Sequence, residues 1–215
     1  LGQLQYKTSV YSKKFMENFA GHYTNILSEV IKDFNGPISE IDILSEMERK
    51  EIFNRFNDTK RTYPKNKTIN ELFEEQVEKT PDAIAVVFED EKITYKELNE
   101  RANSLARGLR ENGIGLEVIV GVMVETSIEM IIGIIAILKA GGAYLPIDPK
   151  YPKGRIEYIL ENSKTKIVLS KGKLKEKVKS YGVKIYDLND EKLYKMDKSN
   201  LDKTANENNL AYVIY

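Results

Sequence analysis

The side chains that could do chemistry are few, and most sit in patterns that explain them without it. Glu74, Glu75 and Glu78 cluster tightly enough to suggest paired carboxylates for acid–base work. They follow Thr68 and Glu71, whose spacing is that of a helix capping box, so a solvated helix face accounts for them. The single histidine, His22, lies in a stretch with helical periodicity, and nothing in the sequence supplies the partner that would orient a catalytic imidazole. It reads as a packing or surface residue. There is no cysteine, which excludes thiol nucleophiles, disulfides and zinc knuckles. The lysine run from Lys164 to Lys179 could suggest a phosphate or RNA patch. It carries no interleaved aromatic residues, and the 33 basic residues are balanced by 33 acidic ones. A zero net charge argues against nucleic acid or an anionic membrane as the main partner. Neither GxGxxG nor GxxxxGK[ST] occurs.

The elements that would position any site come from periodicity and punctuation. Hydrophobic residues make up 41% and charged residues 31% of the 215, enough apolar material for a sizeable core. Phe15, Phe19, Ile26 and Val30 predict a helix over 12–31, stopped by Asn35, Gly36 and Pro37. Ile38 to Leu44 reads as extended. Ser45 and Glu48 open a second helix by capping-box spacing. Residues 57–67 are polar, basic and carry Pro64, and read as a linker. After them, helices and strands alternate. A helix from Thr68 is expected to bury Leu72, Phe73 and Val77. A strand over 83–88 turns at 89–91. A helix capped by Thr94 and Glu97, with an Ile93–Leu98 staple, presents Leu98, Ala102, Leu105 and Leu109 on one face.

Residues 118–124 form a nearly all-apolar strand, the kind buried on both faces. An apolar helix capped by Ser127 ends at Gly141 and Gly142. A strand follows over 143–147, then a helix from Pro152 carrying Ile156, Ile159 and Leu160. Strands are expected at 166–169, 183–186 and 210–215, with a lysine-rich helix over 171–180 and a polar surface loop over 187–209. This alternation predicts an α/β fold: a mostly parallel sheet with helices on both faces, preceded by a short, mainly helical segment. The longest apolar run, near Met130 to Leu138, is far short of the roughly 20 residues a membrane span needs. No signal pattern opens the chain, and a cytoplasmic location is expected. The start without Met reads as an excised or processed piece.

The fifteen residues Leu138 to Pro152 (LKAGGAYLPIDPKYP) resemble, without a gap, the second core motif of the adenylation domains of nonribosomal peptide synthetases. Arg155 to Leu160 continue it. ITYKELN, Ile93 to Asn99, resembles the first core motif, with Ile93 where Leu is commoner. LAYVIY, Leu210 to Tyr215, looks like the opening of the third. Residues 1–56 bear a softer resemblance to the tail of a condensation domain, without its histidine-rich catalytic motif.

The resemblance implies three segments: 1–56, the condensation tail; 57–67, the linker; and 68–215, the N-terminal part of an adenylation domain, truncated before the phosphate-binding loop. It implies a parent that activates an amino acid with ATP as aminoacyl-AMP and loads it onto a phosphopantetheinyl carrier domain, in the manner of antibiotic biosynthesis. ATP and magnesium are implied for the intact domain, and phosphopantetheine for the partner carrier. No catalytic, cofactor-binding or metal residue carries over to these 215 residues, so they are expected to be inactive alone. The implied partners are the remainder of the domain, the condensation and carrier domains, and an amino-acid substrate. Self-association of the uncovered sheet is a further expectation. The alternatives are a fragment of a related acyl-CoA or aryl-acid ligase, or a non-catalytic docking and scaffold module.

Overall fold

A computed structural model describes residues 2–215. The chain divides into two compact units, Leu1–Tyr63 and Pro64–Tyr215, and the division falls inside the polar stretch 57–67.

In the first unit, helix α1 (Lys13–Lys32) starts where the Ser12 side chain accepts from the Phe15 N–H. Helix α2 (Glu46–Lys50) starts at a complete capping box: Glu48 N–H donates to Ser45 Oγ at 3.2 Å and Ser45 N–H donates to Glu48 Oε2 at 3.0 Å. It continues as a short π-helical stretch through Arg55. The expected extended stretch after Pro37 begins instead as a 3₁₀ turn, Ile38–Glu40. Pro37 fixes φ at the entry, and the Glu40 N–H bonds back to the Pro37 carbonyl, so the chain turns before it extends.

In the second unit, helix α3 (Ile69–Lys79) carries the expected Thr68–Glu71 capping box. Leu72 was expected in the core but is 40% exposed, because Phe73, one residue on, takes the inward position. Strand β1 (Ile84–Phe88) pairs antiparallel with β2 (Glu91–Thr94) in a separate two-stranded sheet. The turn expected over 89–91 is shorter, only Glu89 and Asp90, with Glu89 at φ 53°. It closes a hairpin whose last residue, Thr94, also caps the next helix. That helix, α4 (Tyr95–Glu111), has the expected box with Glu97 and buries Leu98, Ala102, Leu105 and Leu109 along one stripe.

The main sheet is parallel, with order β4–β3–β5–β6: β3 is Ile119–Met123, β4 Ala143–Pro146, β5 Ile167–Ser170 and β6 Lys184–Asp187. Helix α5 (Ile128–Ala140) joins α4 on one face. Helices α6 (Lys153–Asn162) and α7 (Leu174–Lys179) cover the other. Strand alternation sorts the core accordingly. Val120, Val122 and Leu169 pack toward α4 and α5, whereas Met123 and Val168 pack toward α6 and α7. Full burial of each Leu or Ile contributes about 1.5–3 kcal/mol. This is the α/β architecture, with a parallel sheet flanked by helices on both faces, that the alternation predicts.

Two expectations at the chain's end change. Residues 187–209 do not form a free surface loop. Leu188 is buried, and a 3₁₀ turn, Glu191–Tyr194, buries Tyr194 against α4. The Tyr194 hydroxyl donates to the Leu188 carbonyl at 2.9 Å, and burial pushes its pKa up to about 12. Leu210 to Tyr215 run beside β4 but make only one parallel bridge, Tyr144 with Tyr212. No helix among the described residues is long and apolar enough to cross a membrane.

Candidate functional site

The candidate site is a cleft of about 520 Å³ at the carboxyl ends of β3 and β4. Parallel strands deliver all their carboxyl ends to one edge, and connections that leave in different directions open a crevice there. The second and third motif segments build it. Tyr144 N–H donates to the Ala211 carbonyl at 3.1 Å, and Val213 N–H donates to the Tyr144 carbonyl at 3.0 Å. The Tyr144 and Tyr212 rings sit 5.7 Å apart between centroids. Tyr144, Pro146 and Asp148 then line the cleft with Ile214 and Tyr215, and α5 adds Met130 and Ile134.

The turn 146–152 owes its shape to local bonds and to its prolines. Asp148 Oδ1 accepts from the Lys150 N–H at 2.8 Å, and the Asp148 carbonyl accepts from the Tyr151 N–H at 3.1 Å. The Lys177 ammonium from α7 donates to the Pro149 carbonyl. On the opposite side of the segment, Tyr215 meets Tyr158 edge-on at 6.2 Å, and its hydroxyl donates to Asn162 Oδ1 at 2.5 Å. The result is a largely apolar wall on a rigid turn, with Glu125 and Asp148 as its acids. Such a wall can hold a planar or apolar group. No imidazole or thiol lines it, and its one lysine, Lys150, is exposed on the turn.

The glycine pair of the second motif is explained by approach as well as by conformation. Gly141 has φ +94°, and a Cβ there would lie 2.8 Å from Thr204 Oγ1. A Cβ on Gly142 would lie 2.9 Å from Ile114 Cγ2 and 3.0 Å from the Val118 carbonyl. Lys139 of the same motif points away from the cleft. Its ammonium is buried and ion-pairs with Glu74 of α3. Glu74 is therefore not part of a solvated face, and Glu75 pairs with Lys67. The first motif lies outside the cleft, and its last residue, Asn99, donates to Asn200 Oδ1 at 2.8 Å.

The other singled-out groups have structural partners. His22 Nε2 lies 2.8 Å from Glu48 Oε1, so the histidine does have an orienting carboxylate, one already engaged in the α2 capping box. Of the lysine run, Lys171 bonds Glu129 at 2.5 Å and Lys175 bonds Asp187. Among the described residues, no three His, Cys, Asp or Glu side chains converge as metal ligands. The cleft's acids, Glu125 and Asp148, are both exposed and form no closed ligand set for magnesium.

Residues 73–215 match the family model described as AMP-binding enzyme. Gramicidin S synthase 2 of Brevibacillus brevis is 48% identical over 212 residues, covering 99% of this chain and 5% of the relative. Bacitracin synthase 3 of Bacillus licheniformis is 48% identical over 213 residues, covering 99% of this chain and 3% of the relative. The chain thus spans less than a tenth of these relatives. A crystal structure of the nonribosomal peptide synthetase FmoA3, in its alpha-methyl-L-serine-AMP bound form, superposes with a TM-score of 0.72 at 28% identity. It covers 98% of this chain and 24% of that one. The N-terminal subdomain of NpsA from Klebsiella oxytoca, at 24% identity and a TM-score of 0.55, shares the fold over 66% of this chain and 36% of its own. From the motif-built cleft, the parallel sheet and these matches together, the chain belongs to the AMP-binding enzyme family, as the N-terminal part of an adenylation domain homologous to those of nonribosomal peptide synthetases.

Proposed function

We propose that residues 68–215 are an N-terminal scaffold part of an amino-acid-activating domain in a nonribosomal peptide synthetase. In the whole domain, an amino-acid carboxylate attacks the α-phosphorus of ATP, giving aminoacyl-AMP and releasing pyrophosphate. The thiol of a phosphopantetheinyl carrier domain then takes the acyl group and releases AMP. The observation that carries this reading is the pairing of Tyr144 with Ala211 and Val213, which makes the second and third motif segments one wall of a single cleft. FmoA3, which superposes over nearly the whole chain, was crystallised with an aminoacyl adenylate.

The 215 residues contribute shape rather than reacting groups. The turn 146–152 and the α5 flank exclude water from one side of the cleft. Stabilising charge on a transferring phosphoryl group requires preorganised donors aimed at it. The side-chain donors lining the cleft are the exposed Thr126 and Lys150 and the hydroxyls of Tyr144, Tyr151 and Tyr215, the last already spent on Asn162, and they do not form a preorganised set for that work. Residues 1–215 alone are therefore inactive in this reading. Residues 1–56 are the tail of a condensation domain, and 57–67 the linker. The aligned synthases extend over this stretch too, and α1 leaves Phe15, Phe19 and Tyr23 exposed for a neighbouring domain to cover.

The test is ATP–pyrophosphate exchange by the synthetase module that contains this chain, against panels of amino acids, aryl acids and fatty acids. Exchange dependent on one amino acid is expected. Exchange driven by an aryl or fatty acid would replace this reading with a related ligase, and no exchange with any acid would leave only a docking role.

A further inference from the structure

The polar face of α4 has no part in the cleft, yet it is densely bonded in a way that no motif chemistry explains. It grips the backbone of the segment that leads to Leu210. Ser104 Oγ donates to the Leu193 carbonyl at 3.0 Å and accepts from the Met196 N–H at 2.8 Å. Asn103 donates to the Lys198 carbonyl at 2.8 Å. Arg107 donates to the carbonyls of Asp197 at 3.0 Å and Ser199 at 2.9 Å. Arg110 bridges the carbonyls of Asp202 and Lys139, each at 2.8 Å, so it ties the strap to the end of α5. At the far end, Glu117 Oε1 accepts from Asn209 Nδ2 at 2.8 Å and from the Leu210 N–H at 3.3 Å. Glu117 holds this position at φ 62°, a conformation that costs a non-glycine residue energy.

Residues 195–209 have no helix or strand of their own. Their path is set by side chains bonding main-chain groups, and it ends in the two hydrogen bonds that seat Ala211 and Val213 on Tyr144. A guanidinium is suited to this work, since its fixed fork of donors can hold two carbonyls at once. Beside β4 the final segment has a single bridge, and its other anchors are side-chain contacts of Tyr212, Val213 and Tyr215.

We infer that Arg107, Arg110 and Glu117 are positioning residues for the adenylation step: through the strap 193–209 they fix where Leu210–Tyr215 lies, and so one wall of the cleft. The catalytic half of this inference rests on the proposed function; the mechanical half does not. Arg107 is the cleaner probe, because Arg110 also bonds α5. Glu117 lies in an exposed loop and serves as the second, should Arg107 variants fold poorly.

The experiment has two arms. In the 215-residue chain, Arg107→Gln and Glu117→Ala are compared with the parent by amide hydrogen exchange. Local opening should speed exchange at Tyr144 and Val213 by about tenfold or more, with less than about a twofold change at Val122 and Leu169 in the inner strands. Equal acceleration at all four amides, or none, would overturn the inference. In the synthetase module, Arg107→Gln should lower kcat for ATP–pyrophosphate exchange by roughly tenfold with the amino-acid KM unchanged, since small misplacements of reacting groups carry losses of that order. Arg107→Lys should recover part of it. Faster local exchange with unchanged kinetics would refute a positioning role in the reaction. A parent module without any exchange removes the adenylation reading, and the hydrogen-exchange arm still decides the mechanical claim.

Discussion

Lys139 of α5 and Glu74 of α3 form an ion pair in which the lysine side chain is 1% exposed and the glutamate 23%. The ammonium also lies 5.8 Å from the centre of the Phe73 ring. Burial pushes the Lys139 ammonium below the usual lysine range, and the hydrogen bond to Glu74 opposes that shift. The lysine of the most recognisable motif thus staples two helices together and faces away from the cleft. Removing one partner leaves a buried charge, so Glu74→Ala should cost about 3–5 kcal/mol in urea unfolding. The double replacement Glu74→Leu with Lys139→Met, which removes both charges and keeps the packing, should be far less harmful or even stabilising. Equal losses in the two variants would contradict this account of the pair.

The glycine pair should respond to alanine for two separable reasons. Gly141→Ala puts a side chain at φ +94° and against Thr204, and should cost about 1–2 kcal/mol from the left-handed backbone alone. Gly142→Ala meets Ile114 and the Val118 carbonyl at contact distances too short to keep, and overpacking of this kind costs about 1–3 kcal/mol. Thermal melts read both. Thr204→Ala should partly relieve the Gly141 variant and leave the Gly142 variant unchanged.

Acid stability should depend on Glu71. Its carboxylate accepts from Lys203 at 2.8 Å and from the Thr68 N–H at 2.7 Å, and these bonds lower its pKa from 4.5 to about 2. A carboxylate more acidic in the folded chain stabilises the fold above its unfolded value and loses that contribution as pH falls. The loss should run from about pH 4.5 down to about pH 2. Glu71→Gln should flatten the stability profile across that window while leaving the profile above pH 6 parallel to that of the parent. An unchanged acid limb would show that the Lys203 and Thr68 bonds contribute nothing.

Much of this architecture is legible in the sequence because it is locally encoded. The three boxes at Ser45–Glu48, Thr68–Glu71 and Thr94–Glu97 need only residues three apart, and all three form. The buried stripe of α4 and the apolar α5 follow from period alone. What escapes the sequence is long-range and aperiodic. The β1–β2 hairpin hides because Thr94 ends a strand and caps a helix at once. The strap over 193–209 reads as a polar loop, since its partners on α4 lie about ninety residues away and bond its backbone as well as its side chains. The signal available was the run of Asn99, Asn103, Arg107 and Arg110 at helical spacing beside an apolar stripe, uncharged or forked donors where a solvated face would favour Lys and Glu. The cleft is legible only as motif segments. Their pairing through Tyr144 is visible in space alone.

The exposed side of the last segment carries its own consequence. Tyr212 is 53% and Ile214 71% exposed, on a segment joined to the sheet by one bridge. Apolar, weakly paired edges recruit other strands. Sedimentation of the 215-residue chain should show concentration-dependent self-association, and Ile214→Lys should reduce it. A clean monomer at high concentration would count against this.

The central claim, that these residues scaffold an amino-acid-activating domain without doing its chemistry, is tested most directly by one paired assay. ATP–pyrophosphate exchange is measured for residues 1–215 and for the synthetase module that contains them, with the same amino acids. The account predicts exchange dependent on one amino acid in the module and none in the isolated chain. Exchange by the isolated chain, or a module silent toward every amino acid, would contradict it.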